Sequence, residues 1–124
     1  MSKTHPMLKT LRDATRGLRY VSEAEATFEP FVWPGGAGAV DAAAVLAKSA
    51  QPAGTEVVQS TLVDFFRAVP MSDKGKYLTL AATLADQLAD VRVFKVGEGR
   101  VLIYVLGTTP DGKWAGVKTE AVET

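Results

Sequence analysis

Met7, Leu8, Leu11, Ala14 and Leu18 recur near the 3.6-residue period of a helix with one face in a core. The spacing predicts a first helix over residues 4–19, with Pro6 in its first turn, where a missing N–H costs nothing. A short polar link, Ser22-Glu23-Ala24-Glu25, follows. Phe28 to Trp33 reads as a strand dense in aromatics, and Pro30 within it points to an edge or a bulge. Pro34-Gly35-Gly36-Ala37-Gly38 reads as a flexible loop too short to separate two domains. Asp41 is placed to cap a short helix running to Ser49, with Val40, Ala44 and Ala47 inward. Gln51-Pro52-Ala53-Gly54 turns the chain. Thr55 to Gln59 then reads as a strand, and Ser60 or Thr61 as the cap of a helix carrying Leu62, Val63, Phe65 and Phe66. Pro70 stops that helix. Ser72 caps the longest one, over residues 73–90, whose inward stripe is Tyr77, Leu80 or Ala81, Leu84, Leu88 and Val91.

The last third changes period. Val91 to Val96 is a strand, Gly97-Glu98-Gly99 a hairpin turn, and Val101 to Leu106 is apolar at every position. Such a run implies a strand covered on both faces. Thr109-Pro110-Asp111-Gly112 carries turn residues, and Lys113 to Lys118 reads as the next strand. A meander with a doubly covered central strand, and helices upstream, predicts an α+β fold. Its form would be a three-layer α/β/α sandwich around an antiparallel or mixed sheet.

Composition narrows the chemistry. The 124 residues fit one domain, spanning residues 1–124. No cysteine is present, which removes thiol nucleophiles, disulfides and thiolate metal sites. The one histidine is His5, four residues from the first methionine, a poor base for a catalytic triad or a zinc site. Fourteen basic residues balance fourteen acidic ones, which argues against a broad electrostatic grip on nucleic acid. No apolar run approaches the roughly 20 residues that span a bilayer, and the start lacks the apolar core of a secretory signal. A cytoplasmic protein that does not engage membrane is expected. The early basic residues Lys3, Lys9, Arg12, Arg16 and Arg19 face a single acid, Asp13. A transit peptide can look like this, but the helical period favours a solvated basic face.

The candidate motifs are modest. The glycine run at residues 35–38 lacks the Lys-Ser/Thr of a phosphate loop and the spacing of a dinucleotide fingerprint. Glu23, Glu25 and Glu29 place three acids within seven residues. Paired carboxylates can do acid/base work or bind a hard cation. Without histidine or a second acidic cluster nearby, a solvated link is the plainer reading. Glu98 reads as a solubilising turn residue, and Trp33 and Trp114 as packing residues rather than ligand platforms.

Longer strings say more. Tyr20-Val21-Ser22-Glu23-Ala24-Glu25 followed by Phe28-Glu29-Pro30-Phe31-Val32-Trp33 resembles the N-terminal signature of the nuclease A inhibitor family. Val57-Val58 with Val63-Asp64-Phe65-Phe66 is similar to its middle segment. The most specific likeness runs from Phe94-Lys95-Val96-Gly97 through Ile103-Tyr104-Val105-Leu106-Gly107-Thr108-Thr109-Pro110 to Trp114-Ala115-Gly116-Val117-Lys118-Thr119 and Val122-Glu123-Thr124. The resemblance covers nearly the whole chain in the same order.

It implies a sandwich similar to pathogenesis-related proteins. It also implies a non-catalytic inhibitor, without a cofactor, that forms a one-to-one complex with a magnesium-dependent, sugar-non-specific endonuclease. In that family the glutamate of the Ser-Glu signature reaches the nuclease magnesium, and here it matches Glu23, flanked by Ser22 and Glu25. The C-terminal threonine that enters the catalytic centre matches Thr124. A third contact, a tryptophan, comes from the loop before the long helix. The matching loop here, residues 70–76, is shorter and has no tryptophan, leaving Asp73 and Lys74 as its contact candidates. That departure admits a second reading, an interaction module on the same scaffold that binds a different protein.

Overall fold

The computed structural model of the chain describes residues 6–16, 18–21, 25–33, 41–49, 51, 54–67 and 74–122. They form four helices: α1 (Pro6–Thr15), α2 (Ala42–Lys48), α3 (Leu62–Arg67) and α4 (Lys74–Gln87). Seven strands accompany them: β1 (Arg19–Val21), β2 (Glu25–Thr27), β3 (Glu29–Trp33), β4 (Val57–Ser60), β5 (Ala89–Val96), β6 (Arg100–Thr108) and β7 (Trp114–Val122). Five of the strands make an antiparallel sheet in the order β3-β7-β6-β5-β4, and β1 pairs with β2 in a separate two-stranded ribbon. The architecture is α+β, as the change of period implies.

Alternation along the central strands decides where the helices dock. On one face Val101, Ile103 and Val105 of β6 join Val93 of β5 and Ala115, Val117 and Ala121 of β7. Met7 and Leu11 of α1, Phe65 of α3, and Tyr77, Leu80 and Leu84 of α4 complete that cluster. On the other face Phe94, Val96, Tyr104, Leu106 and Trp114 gather around Val45 of α2. The all-apolar run of β6 is therefore shared between two cores, which explains why it shows no period of two.

Several boundaries differ from the expectation. α1 ends at Thr15, not Arg19. The Thr15 hydroxyl donates back to the Leu11 carbonyl at 2.9 Å, and Leu18 is buried beyond the helix end. Arg19, read as the end of the helix, opens β1, and Glu25, read as the end of the polar link, opens β2. In α2 the anchor is Val45, wholly buried, while Ala44 is half-buried and Ala47 exposed. Val40 lies outside the described residues. Asp41 is the cap, its carboxylate accepting from the Ala44 N–H at 2.8 Å. The strand read at residues 55–59 is β4, shifted two residues along at its start and one at its end. Thr61 caps α3 by accepting from Asp64 N–H at 3.1 Å. Of the apolar residues on this helix Phe65 is buried and Val63 is 68% exposed.

The long helix stops at Gln87, and Asp90 belongs to β5. Leu88 closes the helical stripe, its N–H donating to the Leu84 carbonyl at 3.0 Å, whereas Val91 already belongs to β5. The break is marked by Asp90 at φ 53°, a left-handed conformation that aspartate tolerates better than most residues, and by an irregular register between Ala89 and Arg92. Ser72 and Pro70 lie outside the described residues. β7 is longer than expected, running to Val122 opposite Arg100.

Candidate functional site

The candidate site is built by the order of pairing at one end of the sheet. β3 pairs with β7 from Trp33↔Trp114 to Glu29↔Lys118, so residues earlier than Glu29 approach residues later than Lys118. β2 accordingly packs along β7. Its Ala26 and Thr27 line a cavity of about 490 Å³ with Glu29, Leu102, Lys118, Thr119 and Glu120. The β1–β2 ribbon has the register Arg19↔Thr27, Tyr20↔Ala26 and Val21↔Glu25, so the residues flanking 22–24 are a pair.

Phe28, between β2 and β3, turns into the first core and meets Tyr77 edge-on, with ring centroids 5.8 Å apart. Tyr77 lies in the first turn of α4, while the far end of α4, at Leu88, packs against Gly107. Gly107 pairs with Ala115, at the opposite end of β7 from Val122. Three described flanks therefore share one end of the molecule: the Val21–Glu25 pair, the end of β7 at Val122, and the start of α4 at Lys74.

Of the residues singled out in the sequence, Glu25 opens β2 and Lys74 opens α4. Ser22, Glu23, Asp73 and Thr124 lie outside the described residues. Glu29, the third acid of the early cluster, is exposed and paired with Lys118 at 3.7 Å. Beside it Arg100 faces Glu120 at 3.9 Å. Both pairs lie in solvent, where ion pairs contribute less than about 1 kcal/mol. They set the polar character of this end without fixing its shape. Below them Thr119 Oγ1 is buried and, among the described residues, has no hydrogen-bond partner.

Lys118, Thr119 and Glu120 were not singled out in the sequence. The signal available was the loss of apolar residues at alternate positions late in β7. Among the described residues no group of three or more His, Cys, Asp or Glu is arranged to hold a metal ion.

The two tryptophans pack, as read. Trp114 is buried in the second core, and Trp33 stacks at 4.4 Å on Phe31 and 5.5 Å from Tyr104. Burial pushes the Tyr104 hydroxyl pKa above its usual value of 10.0. Arg12 and Arg16 are exposed, and Arg16 pairs with Asp13 at 2.8 Å, so the basic face of α1 is solvated there. No described helix is long and apolar enough to cross a membrane.

The frame is thus a small α+β domain that gathers strand and helix ends at one end of an antiparallel sheet. Residues 5–124, nearly the whole chain, match the family described as nuclease A inhibitor-like protein, and the chain belongs to that family. A comparison with the curated proteins gave no match.

Proposed function

We propose that this protein is a non-catalytic inhibitor that plugs the magnesium-dependent active site of a sugar-non-specific endonuclease in a one-to-one complex. The observation that carries the reading is the shared end. Val21–Glu25, Val122 and Lys74, which border Glu23, Thr124 and Asp73 in the sequence, face the same end of the sheet, and this supports the reading. Family membership supplies the class of partner. Magnesium takes oxygen ligands and keeps water positions open for substrate phosphate. The Glu23 carboxylate replaces one such water, and Thr124 occupies space meant for phosphate oxygens. Ser22, Glu25, Asp73 and Lys74 form the surrounding contacts. The inhibitor then needs no metal or cofactor of its own and makes no direct contact with nucleic acid. The two apolar cores on opposite sheet faces fit a three-layer α/β/α sandwich similar to pathogenesis-related proteins, and we assign the protein to the cytoplasm.

The test is to titrate purified protein against a nuclease of this class and follow plasmid digestion. Full inhibition near equimolar ratio is expected. Glu23→Ala should weaken binding by at least ~2 kcal/mol, since the enzyme's metal would face an unfilled site. Unchanged potency in that variant removes Glu23 from the interface. The missing loop tryptophan favours a second reading, a module for a different protein. A non-nuclease partner whose binding is lost in Glu23→Ala, together with no effect on digestion, would support it.

A further inference from the structure

The two edges of the main sheet are unlike. β3 carries Pro30, which has no N–H to offer, and the charged Glu29. Such features blunt an edge against pairing with another strand. β4 carries neither proline nor lysine, and its sequence is Val57-Val58-Gln59-Ser60. Among the described residues no strand lies on its outer side.

The hydrogen-bond pattern fixes what that edge presents. Gly97 N–H donates to the Glu56 carbonyl at 2.9 Å, so Glu56 points its backbone groups toward β5. In an antiparallel ladder this direction alternates along the strand. Val58 and Ser60 therefore bond to β5 across from Lys95 and Val93. Val57 and Gln59 turn their N–H and C=O groups outward.

We propose that this edge pairs with the same edge of a second copy, antiparallel about a two-fold axis through Val58, joining two five-stranded sheets into one. The register is self-complementary. Val57 of one copy faces Gln59 of the other, and each donates to and accepts from its opposite, so every outward group at these positions is matched. Val58 faces the second copy's Val58 in a non-hydrogen-bonded pair, the kind in which opposing side chains come closest. Val58 is 48% exposed, which is more than a paired valine needs and leaves it free to make this contact. Glu56, the one charge in the segment, falls opposite Ser60, so no like charges meet. A dyad satisfying both copies with one patch is the commonest form of closed association.

Exposed apolar residues reinforce the choice of edge. Among the described residues the large exposed hydrophobics are Val58, Val63 at 68% and Leu78 at 55%. Val63 lies on α3, which follows β4 directly, and Leu78 on α4, which packs against α3. Val58 and Val63 thus sit on consecutive elements at this edge, while α4 also packs on α1 toward the β3 side.

This pairing stands apart from nuclease inhibition, because β4 is the edge farthest from β3 and the ribbon that packs on β7. Sedimentation of the full chain from about 10 to 500 μM is the first test, since an interface this small associates weakly. A concentration-dependent dimer is expected. Val58→Lys and Val58→Glu, at an exposed position, should each weaken it by at least about tenfold. Mixing the two variants should restore it, because opposite charges then face each other across the axis. Amide exchange at Val57 and Gln59 should slow as the dimer forms. A wild-type protein monomeric throughout overturns the proposal, including one whose Val57 and Gln59 amides slow only when nuclease is added. So does a dimer that either single variant leaves intact.

Discussion

A Cβ added at Gly116 lands on the Val105 carbonyl oxygen and 2.6 Å from the Leu106 Cα. Both are backbone atoms of β6, so neither can swing aside as a side-chain tip would. Gly116 lies on β7 opposite Leu106 of β6, and both strands contribute to both cores. Gly116→Ala must spread β6 from β7, and a loss of about 3 kcal/mol in denaturant unfolding is expected, at the upper end of overpacking costs. On the same sheet face, Tyr104 gives a pH signature. Its hydroxyl ionises above the unfolded value because burial disfavours the phenolate. The unfolded chain therefore releases the proton first as pH rises, and stability present below pH 10 declines above it. Tyr104→Phe should flatten that alkaline slope in thermal melts recorded between pH 9 and 11.

The helices depend on short polar signals, and those were the most readable part of the sequence. Asp41 both predicts and caps α2, a seven-residue helix too short to persist without tertiary support. Asp41→Ala should cost about 1 kcal/mol, and Asp41→Asn should recover most of it, since an amide oxygen also accepts from the Ala44 N–H. Equal losses in the two variants would mean that charge, not the hydrogen bond, holds the helix start. The turn at Gly97 to Gly99 was legible for a similar reason, as both glycines adopt positive φ, at 103° and 72°. What was not legible had no local signal. The strands of the β1–β2 ribbon are three residues each and pair chiefly with one another. Triplets that short show neither period, so Arg19 continues the preceding helix pattern in the sequence. The end of α4 is hidden in the sequence because Leu84, Leu88 and Val91 fit a helical stripe while the last of them belongs to a strand entering the same core. On α3 the sequence leaves the inward face open, and it is the docking through Leu62 and Phe65 that turns Val63 outward. The candidate site was legible only through the likeness of whole strings, because one glutamate in a polar link carries no spacing that distinguishes it from a solvated turn.

At the scale of the molecule the sheet separates two surfaces. The end proposed to meet the nuclease is organised by β7 and the ribbon beside it, and the edge proposed to pair by β4. β7 and β4 are three strand spacings apart, roughly 14 Å at ~4.8 Å each. That separation, with only the stable ladder β7-β6-β5 between, predicts independent behaviour, since substitutions more than 7–10 Å apart with no shared partner usually add. Glu23→Ala should abolish strong inhibition while leaving the self-association of the free protein unchanged. Val58→Lys should leave the inhibitory titre unchanged while halving the mass of the complex measured by sedimentation, from two inhibitors with two nucleases to one of each. The proposed dimer would present two inhibitory ends on one continuous sheet. Where two nuclease molecules are held near each other, binding at one end raises the effective concentration at the other, so dissociation from a nuclease-coated surface should be slower for wild type than for Val58→Lys. Equal dissociation rates on dense and sparse surfaces would show that the two ends cannot engage together.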